Sequence, residues 1–188
     1  MPSNLGYALL GLLARAPRTG YQLSQAMREP IGFFWSASHS QVYPELAGLE
    51  SARLVRHRVV DGPGPRENKQ YRLTPAGRRA LADWVVEPAA PPSGRDEFLL
   101  KIYSLWTAEP ARARDLVTKQ REQHHEMLAR YQEMEQEFVR DAPSEMADPS
   151  TRQFSAYATL RRGLSFERHA IAWCDWLVEQ LDAGPRRS

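Results

Sequence analysis

The apolar positions of this chain change period three times, and each change marks a boundary. From Leu5 to Ala16 (LGYALLGLLARA) nearly every helical face is apolar, which predicts a short helix buried on several sides. Pro17 ends it. Thr19 then offers a side-chain oxygen as N-cap to a second helix, GYQLSQAMRE, with Tyr21, Leu23 and Met27 as its apolar stripe and Pro30 as its end. After an aromatic run (Phe33, Phe34, Trp35), Ser38 or Ser40 caps a third helix reaching about Arg53. In it Val42, Leu46 and Leu49 recur at spacings of four and three. Pro44 is compatible with an early position in that helix.

Beyond Arg53 the period becomes two. Leu54, Arg56 and Arg58 alternate with Val55, His57 and Val59. GPGP forces a turn, and NKQYRLT returns in extended form, with Tyr71 and Leu73 between basic neighbours. Thr74 followed by Pro75 caps the next helix, AGRRALADWVVE. Three helices, a two-stranded hairpin and a further helix are the element order of a winged helix-turn-helix, here over residues 1–87.

A proline-rich connector, residues 88–94, separates this from a second pattern over residues 95–188. Asp96 or Ser93 starts a helix EFLLKIYSLW. A long helix from about Glu109 to Val139 follows, with Val117, His124, Tyr131 and Phe138 beside Ala113, Gln120, Met127 and Met134 at heptad spacing. DAPSEMADPS interrupts, and a second long helix from about Thr151 to Asp182 repeats the pattern with Tyr157, Leu164, Ile171, Val178 beside Leu160, Glu167, Cys174, Leu181. Such stripes pair the helices with each other and with another subunit, so these residues read as a dimerisation domain. Gln120 and Glu167 fall either within the seam, as polar register markers, or at its wet edge. The wet edge is the preferred reading. The fold class is therefore mainly α with a small β-hairpin.

Composition narrows the function classes. With 188 residues and 42% hydrophobic content the chain can build a core in each part. No stretch approaches the roughly 18 apolar residues of a membrane span. The single cysteine, Cys174, excludes a disulfide framework and a cysteine metal cluster, which fits a reducing cytoplasm. Net charge is only +2, but it is unevenly spread: residues 1–87 carry +4 and the remainder −2. Eight basic residues between Arg53 and Arg79 are offset by only Asp61 and Glu67, which is either a polyanion-binding face or a solvated one.

The third helix supplies chemistry for the first alternative. A recognition helix meets double-stranded DNA with its N-terminal turn, here Ser38, His39, Ser40 and Gln41. The Gln41 amide can pair bidentately with adenine, and the Tyr43 hydroxyl can bond a phosphate. Arg66, Asn68 and Lys69 at the hairpin tip can follow the backbone beside the minor groove. Tyr21 joins this DNA-facing set.

These residues carry a family resemblance. SASHSQVYPELAGLESARLV with GPGPRENKQYRLTPAGRRAL resembles the PadR family of bacterial regulators. The matching positions are Ser40, Tyr43, Pro44, Leu46, Leu49, Glu50, Tyr71, Leu73, Thr74 and Gly77. LGYALLGLLARAPRTGYQL is similar to the family's opening through Leu5, Leu9, Leu10, Leu13, Gly20, Tyr21 and Leu23. Two departures stand out: Arg53 occupies a position where the family usually has glycine, and Glu67 adds an acid to the wing. The second half resembles the longer virulence-activator type of C-terminal domain. The resemblance implies a homodimer with two recognition helices on a pseudopalindromic operator. It also implies a small-molecule effector, since some relatives bind phenolic acids or multidrug-like aromatics near the dimer interface. Trp173 and Trp176 are the effector-binding candidates, as aromatic stacking platforms.

Taken together, the expected function is sequence-specific transcriptional regulation by a dimeric repressor relieved by a small aromatic ligand, in the cytoplasm. The alternative is a winged-helix protein-protein adaptor, which the basic segment disfavours. An enzyme has little support. His124 and His125 diverge by roughly 100° on one helix, and no nucleophile elbow, phosphate loop or paired-histidine zinc motif occurs. No cofactor and no metal are expected.

Overall fold

The computed structural model describes residues 1–27, 39–60, 68–89, 96–141 and 143–183, and for His39 the backbone alone. The chain forms two compact units, Met1–Pro91 and Pro92–Ser188.

In the first unit, α1 (Asn4–Arg15) begins on Ser3, whose side chain accepts from the Gly6 N–H at 3.1 Å. Its Leu9, Leu10, Leu12 and Leu13 are all buried, as a helix apolar all round must be. The chain then forms a two-residue strand, β1 (Arg18–Thr19), before α2 (Gly20–Ala26). A reciprocal capping box starts α2: Thr19 Oγ1 accepts from Gln22 N–H, and Gln22 Oε1 accepts from Thr19 N–H. Next comes α3 (His39–Ser51), whose Val42, Leu46 and Leu49 are buried as their spacing predicts.

The strands β2 (Val55–Val60) and β3 (Asn68–Leu73) pair antiparallel from Val55↔Leu73 to Val60↔Asn68. β1 pairs with the other edge of β3, Arg18↔Tyr71 and Thr19↔Gln70, giving the order β1-β3-β2. The expected two-stranded hairpin is thus a three-stranded sheet. A two-residue strand carries no periodicity, so only the pairing reveals it. α4 (Pro75–Val85) closes the unit, with Thr74 as N-cap, Pro75 in the first turn, and Trp84 stacked on Tyr7 of α1 at 4.4 Å and 4°.

Two further expectations change. Tyr21 was assigned to the apolar stripe of α2, yet it is 61% exposed, while Leu23, Ser24 and Met27 are buried. Pro44 stands in the second turn of α3 rather than at its start, so it offers no N–H to the Ser40 carbonyl.

In the second unit, α5 (Glu97–Tyr103) is capped by Asp96, which accepts from Leu99 N–H at 3.0 Å, and a short 3-10 turn spans Leu105–Thr107. Two 32-residue helices follow, α6 (Pro110–Asp141) and α7 (Arg152–Ala183), the second begun by Thr151 Oγ1 accepting from Phe154 N–H. They pack against each other along the heptad stripes. Ala113, Val117 and Tyr131 of α6 are buried, as are Leu160, Leu164, Ile171, Cys174 and Val178 of α7. At Gly163 a Cβ would lie 2.8 Å from the Tyr131 ring, so glycine is what lets the helices approach there.

Glu167 corrects the wet-edge reading. It is 6% exposed, and its carboxylate meets His124 Nδ1 at 2.6 Å, while His124 Nε2 lies 3.2 Å from Gln120 Nε2. The polar heptad positions form one chain of contacts within the seam, as buried polar groups require. Ion pairs flank it, the part-buried Arg121–Asp175 at 2.9 Å and the exposed Arg114–Asp182 at 2.7 Å.

Candidate nucleic-acid interface

The face that α3 turns away from the core carries the candidates. Val42, Leu46 and Leu49 fix its inner side against α1 and α2, which leaves Ser40, Gln41 and Tyr43 on the outer side, all exposed. Tyr43 leans over the start of α2. A Cβ at Gly20 would fall 2.7 Å from its Cε1, so Gly20 is required for that ring position. Tyr21 is exposed one residue further on, and its hydroxyl accepts from Gln25 Nε2 at 2.6 Å. The structure therefore brings Tyr43 to the residue beside Tyr21. Ser38 and Arg66 lie outside the described residues, as do the side chain of His39, the Phe33–Trp35 aromatics and the GPGP turn.

On the sheet, Asn68 is half-buried opposite Val60 and Lys69 is exposed opposite Val59, both at the far end of the strand pair. Residues that the sequence reading counted but did not assign to a site lie behind them. Arg56, Arg58 and Arg72 are exposed; Arg56 stands directly opposite Arg72, and Arg58 Nε donates to Gln70 Oε1 at 2.9 Å. Like charges opposite each other disfavour the sheet by themselves. Among the described residues neither Arg56 nor Arg72 has an ion pair. The spacing of two between Arg56 and Arg58 along β2 is the signal that marks those two in the sequence.

The base of this interface is a tight corner. The end of α3 closes with Arg53 N–H donating to the Glu50 carbonyl at 2.8 Å and Leu54 N–H to the Leu49 carbonyl at 2.9 Å, and Arg53 has φ 58°. This is the paired-bond helix ending whose left-handed residue is usually glycine. It accounts for the glycine usual at this place in the family, and Arg53 adopts the same left-handed conformation. Thr74 Oγ1 lies 2.8 and 3.0 Å from the Arg53 and Leu54 carbonyls. Glu50 Oε1 meets His57 Nδ1 at 2.5 Å and accepts from the His57 N–H at 3.3 Å. Burial raises the Tyr71 hydroxyl pKa above its ordinary value, with the Glu50 carboxylate and Tyr43 adding to the effect.

In the second unit, Trp173 is half-buried beside Val117, Cys174 and Val178 and meets Phe98 edge-on at 6.0 Å. Trp176 is 52% exposed. An open cavity of about 420 Å³ is lined by Asp96, Glu97, Phe98, Lys101, Leu116 and Gln120, and neither tryptophan borders it. Among the described residues no helix is long and apolar enough to cross a membrane.

Comparison with known proteins agrees with this geometry. Residues 9–83 match the family model described as Transcriptional regulator PadR-like family, and residues 94–182 match Virulence activator alpha C-term. The chain is 31% identical to the Negative transcriptional regulator PadR of Bacillus subtilis over 95% of its own length and 97% of that protein's. It is also similar to the crystal structure of Bacillus subtilis PadR in complex with operator DNA, at TM-score 0.84 and 30% identity, covering 95% of this chain and 99% of that one. The complex of the same protein with p-coumaric acid matches at TM-score 0.80 and 30% identity, over 95% and 98% of the two chains. The virulence activator AphA of Vibrio cholerae matches at TM-score 0.73 and 30% identity, over 97% and 100%. With both halves matched in sequence and the winged-helix architecture matched in space, the chain belongs to the PadR-like family of transcriptional regulators, in the group with the virulence-activator type of C-terminal domain.

Proposed function

We propose that this protein is a dimeric repressor that binds a pseudopalindromic operator and is released by a small aromatic ligand. The observation that carries the DNA-binding part is the two-faced character of α3. Its inner residues are fully buried, so the helix cannot roll, and its N-terminal turn presents Ser40 and Gln41 with Tyr43 one turn on. In this reading Gln41 reads a base edge, Ser38, His39, Ser40, Tyr21 and Tyr43 bond backbone or base groups, and Arg66, Asn68 and Lys69 follow the phosphates. Residues 1–87 thus serve DNA, and residues 95–188 serve dimerisation and effector binding, in the cytoplasm.

The second unit supports the dimer. Leu100, Tyr103 and Trp106 on α5 and the turn after it are exposed, Trp106 by 86%, and so is Phe166 on α7. Apolar groups gathered on one small domain favour a second surface over them. The operator-bound and p-coumarate-bound states of the Bacillus relative motivate the ligand part, with Trp173 and Trp176 as its stacking groups. The test is titration of the protein onto its own upstream DNA across a salt series, repeated with p-coumarate as probe. Specific binding with a negative slope of log affinity against log salt supports the reading, and no binding or a flat slope refutes it. Loss of the complex on adding the probe supports the ligand part, and an unchanged complex refutes an aromatic acid as the releasing ligand.

A further inference from the structure

Glu50, Thr74 and Gly77 are singled out by the sequence, yet none faces a groove in the reading above. In the structure they converge on one point, the corner where α3 gives way to β2. Thr74 Oγ1 meets the Arg53 and Leu54 carbonyls, and the Thr74 N–H donates to the Leu54 carbonyl at 3.0 Å. At Gly77 a Cβ would lie 2.0 Å from the Leu54 carbonyl oxygen, so α4 is pressed onto the same peptide. Glu50 completes the junction from the helix side. β2 is an edge strand, and its unpaired side exposes amides that a sheet leaves unanswered. The Glu50 carboxylate answers one of them, the His57 N–H, and holds the His57 ring through Nδ1. That ring in turn tilts against Tyr71 of β3 at 5.8 Å and 56°.

We propose that Glu50 is a positioning residue for DNA recognition: its carboxylate, from the last turn of α3, clasps the outer edge of β2 at His57 and sets the strand pair carrying Asn68 and Lys69 relative to the helix carrying Ser40 and Gln41. This rests on the DNA-binding reading above. The thermodynamic consequence is specific. A wing that is not held reaches its phosphates only in a fraction of its orientations, so its contribution is diluted by that fraction. The recognition turn is held by Val42, Leu46 and Leu49 instead, and it keeps its own contribution. Glutamine retains the acceptor oxygen without the charge, whereas alanine removes both. Comparing Glu50→Gln with Glu50→Ala therefore separates positioning from simple relief of repulsion toward phosphates.

The experiment uses the full chain and its upstream DNA. Salt-dependent binding is measured for wild type, E50Q and E50A, each with and without Lys69→Ala, and amide hydrogen exchange of β2 is followed in the free proteins. In the dimer Lys69→Ala removes two phosphate contacts, one from each subunit, which lowers the slope by about 1.8. The expected result is that K69A lowers the slope by this amount in wild type and E50Q but leaves it unchanged in E50A. In parallel, β2 exchanges faster in E50A alone, while α1 remains protected as in wild type. His57→Ala, which keeps the backbone bond to Glu50 and loses the ring, gives a reduced K69A effect in the same direction. A K69A effect of equal size in E50A and wild type overturns the proposal, as does an E50Q protein that behaves like E50A. Absence of salt-dependent DNA binding by the wild type refutes the DNA reading instead, and the β2 exchange comparison then decides the clasp by itself.

Discussion

At the scale of single residues, the most exposed departure from local preference is Arg53. A non-glycine residue at φ 58° costs about 1 kcal/mol relative to glycine, because its Cβ crowds the backbone. Arg53→Gly is expected to stabilise the first unit by about that amount, read as a higher denaturant midpoint with an unchanged slope. The opposite holds at Gly77, where the Leu54 carbonyl leaves no room for a Cβ. Gly77→Ala is expected to cost about 2 kcal/mol or more by the same measurement, since backbone rather than a flexible side chain must move. Both positions stand out in the sequence as motif places, yet the reason for each is legible only where α3, β2 and α4 meet.

Ionisation offers a check at the same scale. Burial raises the hydroxyl pKa of Tyr131, with Glu167 adding to it, and burial raises that of Tyr71 as well. Each holds its proton more tightly folded than unfolded. Their contribution to stability is therefore complete below the ordinary tyrosine value of about 10 and is lost as pH rises through the higher folded values. In an alkaline absorbance titration Tyr71 and Tyr131 are expected to ionise above the ordinary tyrosine range, with stability falling over the same range. Ionisation of all tyrosines in one step at the ordinary value would contradict the burial of both.

Elements show where periodicity suffices and where it stops. The heptads place α6 and α7 correctly, and the Ser3, Thr19, Thr74, Asp96 and Thr151 caps mark helix starts because capping is a local bond between neighbours. The fate of a polar heptad position is different, because it depends on what stands opposite. Glu167 is buried since His124 faces it across the seam, 43 residues away in sequence. Glu167→Ala leaves the His124 Nδ1 without its partner in a part-buried site and is expected to destabilise the second unit by about 1–2 kcal/mol. The double change of Glu167 and His124 to leucine is expected to recover most of that loss, because an apolar pair needs no partner. Thermal melts of the three variants check it. A double variant no more stable than the single one would show that the pair contributes through something other than mutual satisfaction.

For the whole molecule, the second unit's exposed Leu100, Tyr103, Trp106 and Phe166 bear on assembly. Sedimentation equilibrium is expected to show a dimer for the full chain and a monomer for residues 1–89. The truncated form is further expected to bind its DNA more weakly, with a salt slope about half that of the full chain, since it brings one set of phosphate contacts instead of two. A full chain that stays monomeric at every concentration would remove the proposed two-fold operator.

The sequence by itself determined the helices and the wing strands, because these depend on spacings of two, three, four and seven and on bonds between near neighbours; the basic bias of the first half lay in its composition, and the family in the resemblance of its motif residues. Tertiary structure decided the third strand at Arg18–Thr19, the exposure of Tyr21, the burial of Glu167 and the clasp of Glu50 on His57. Each of these is a relation between surfaces brought together by packing. A partner across a sheet or a seam has no fixed distance along the chain, so no local pattern announces it.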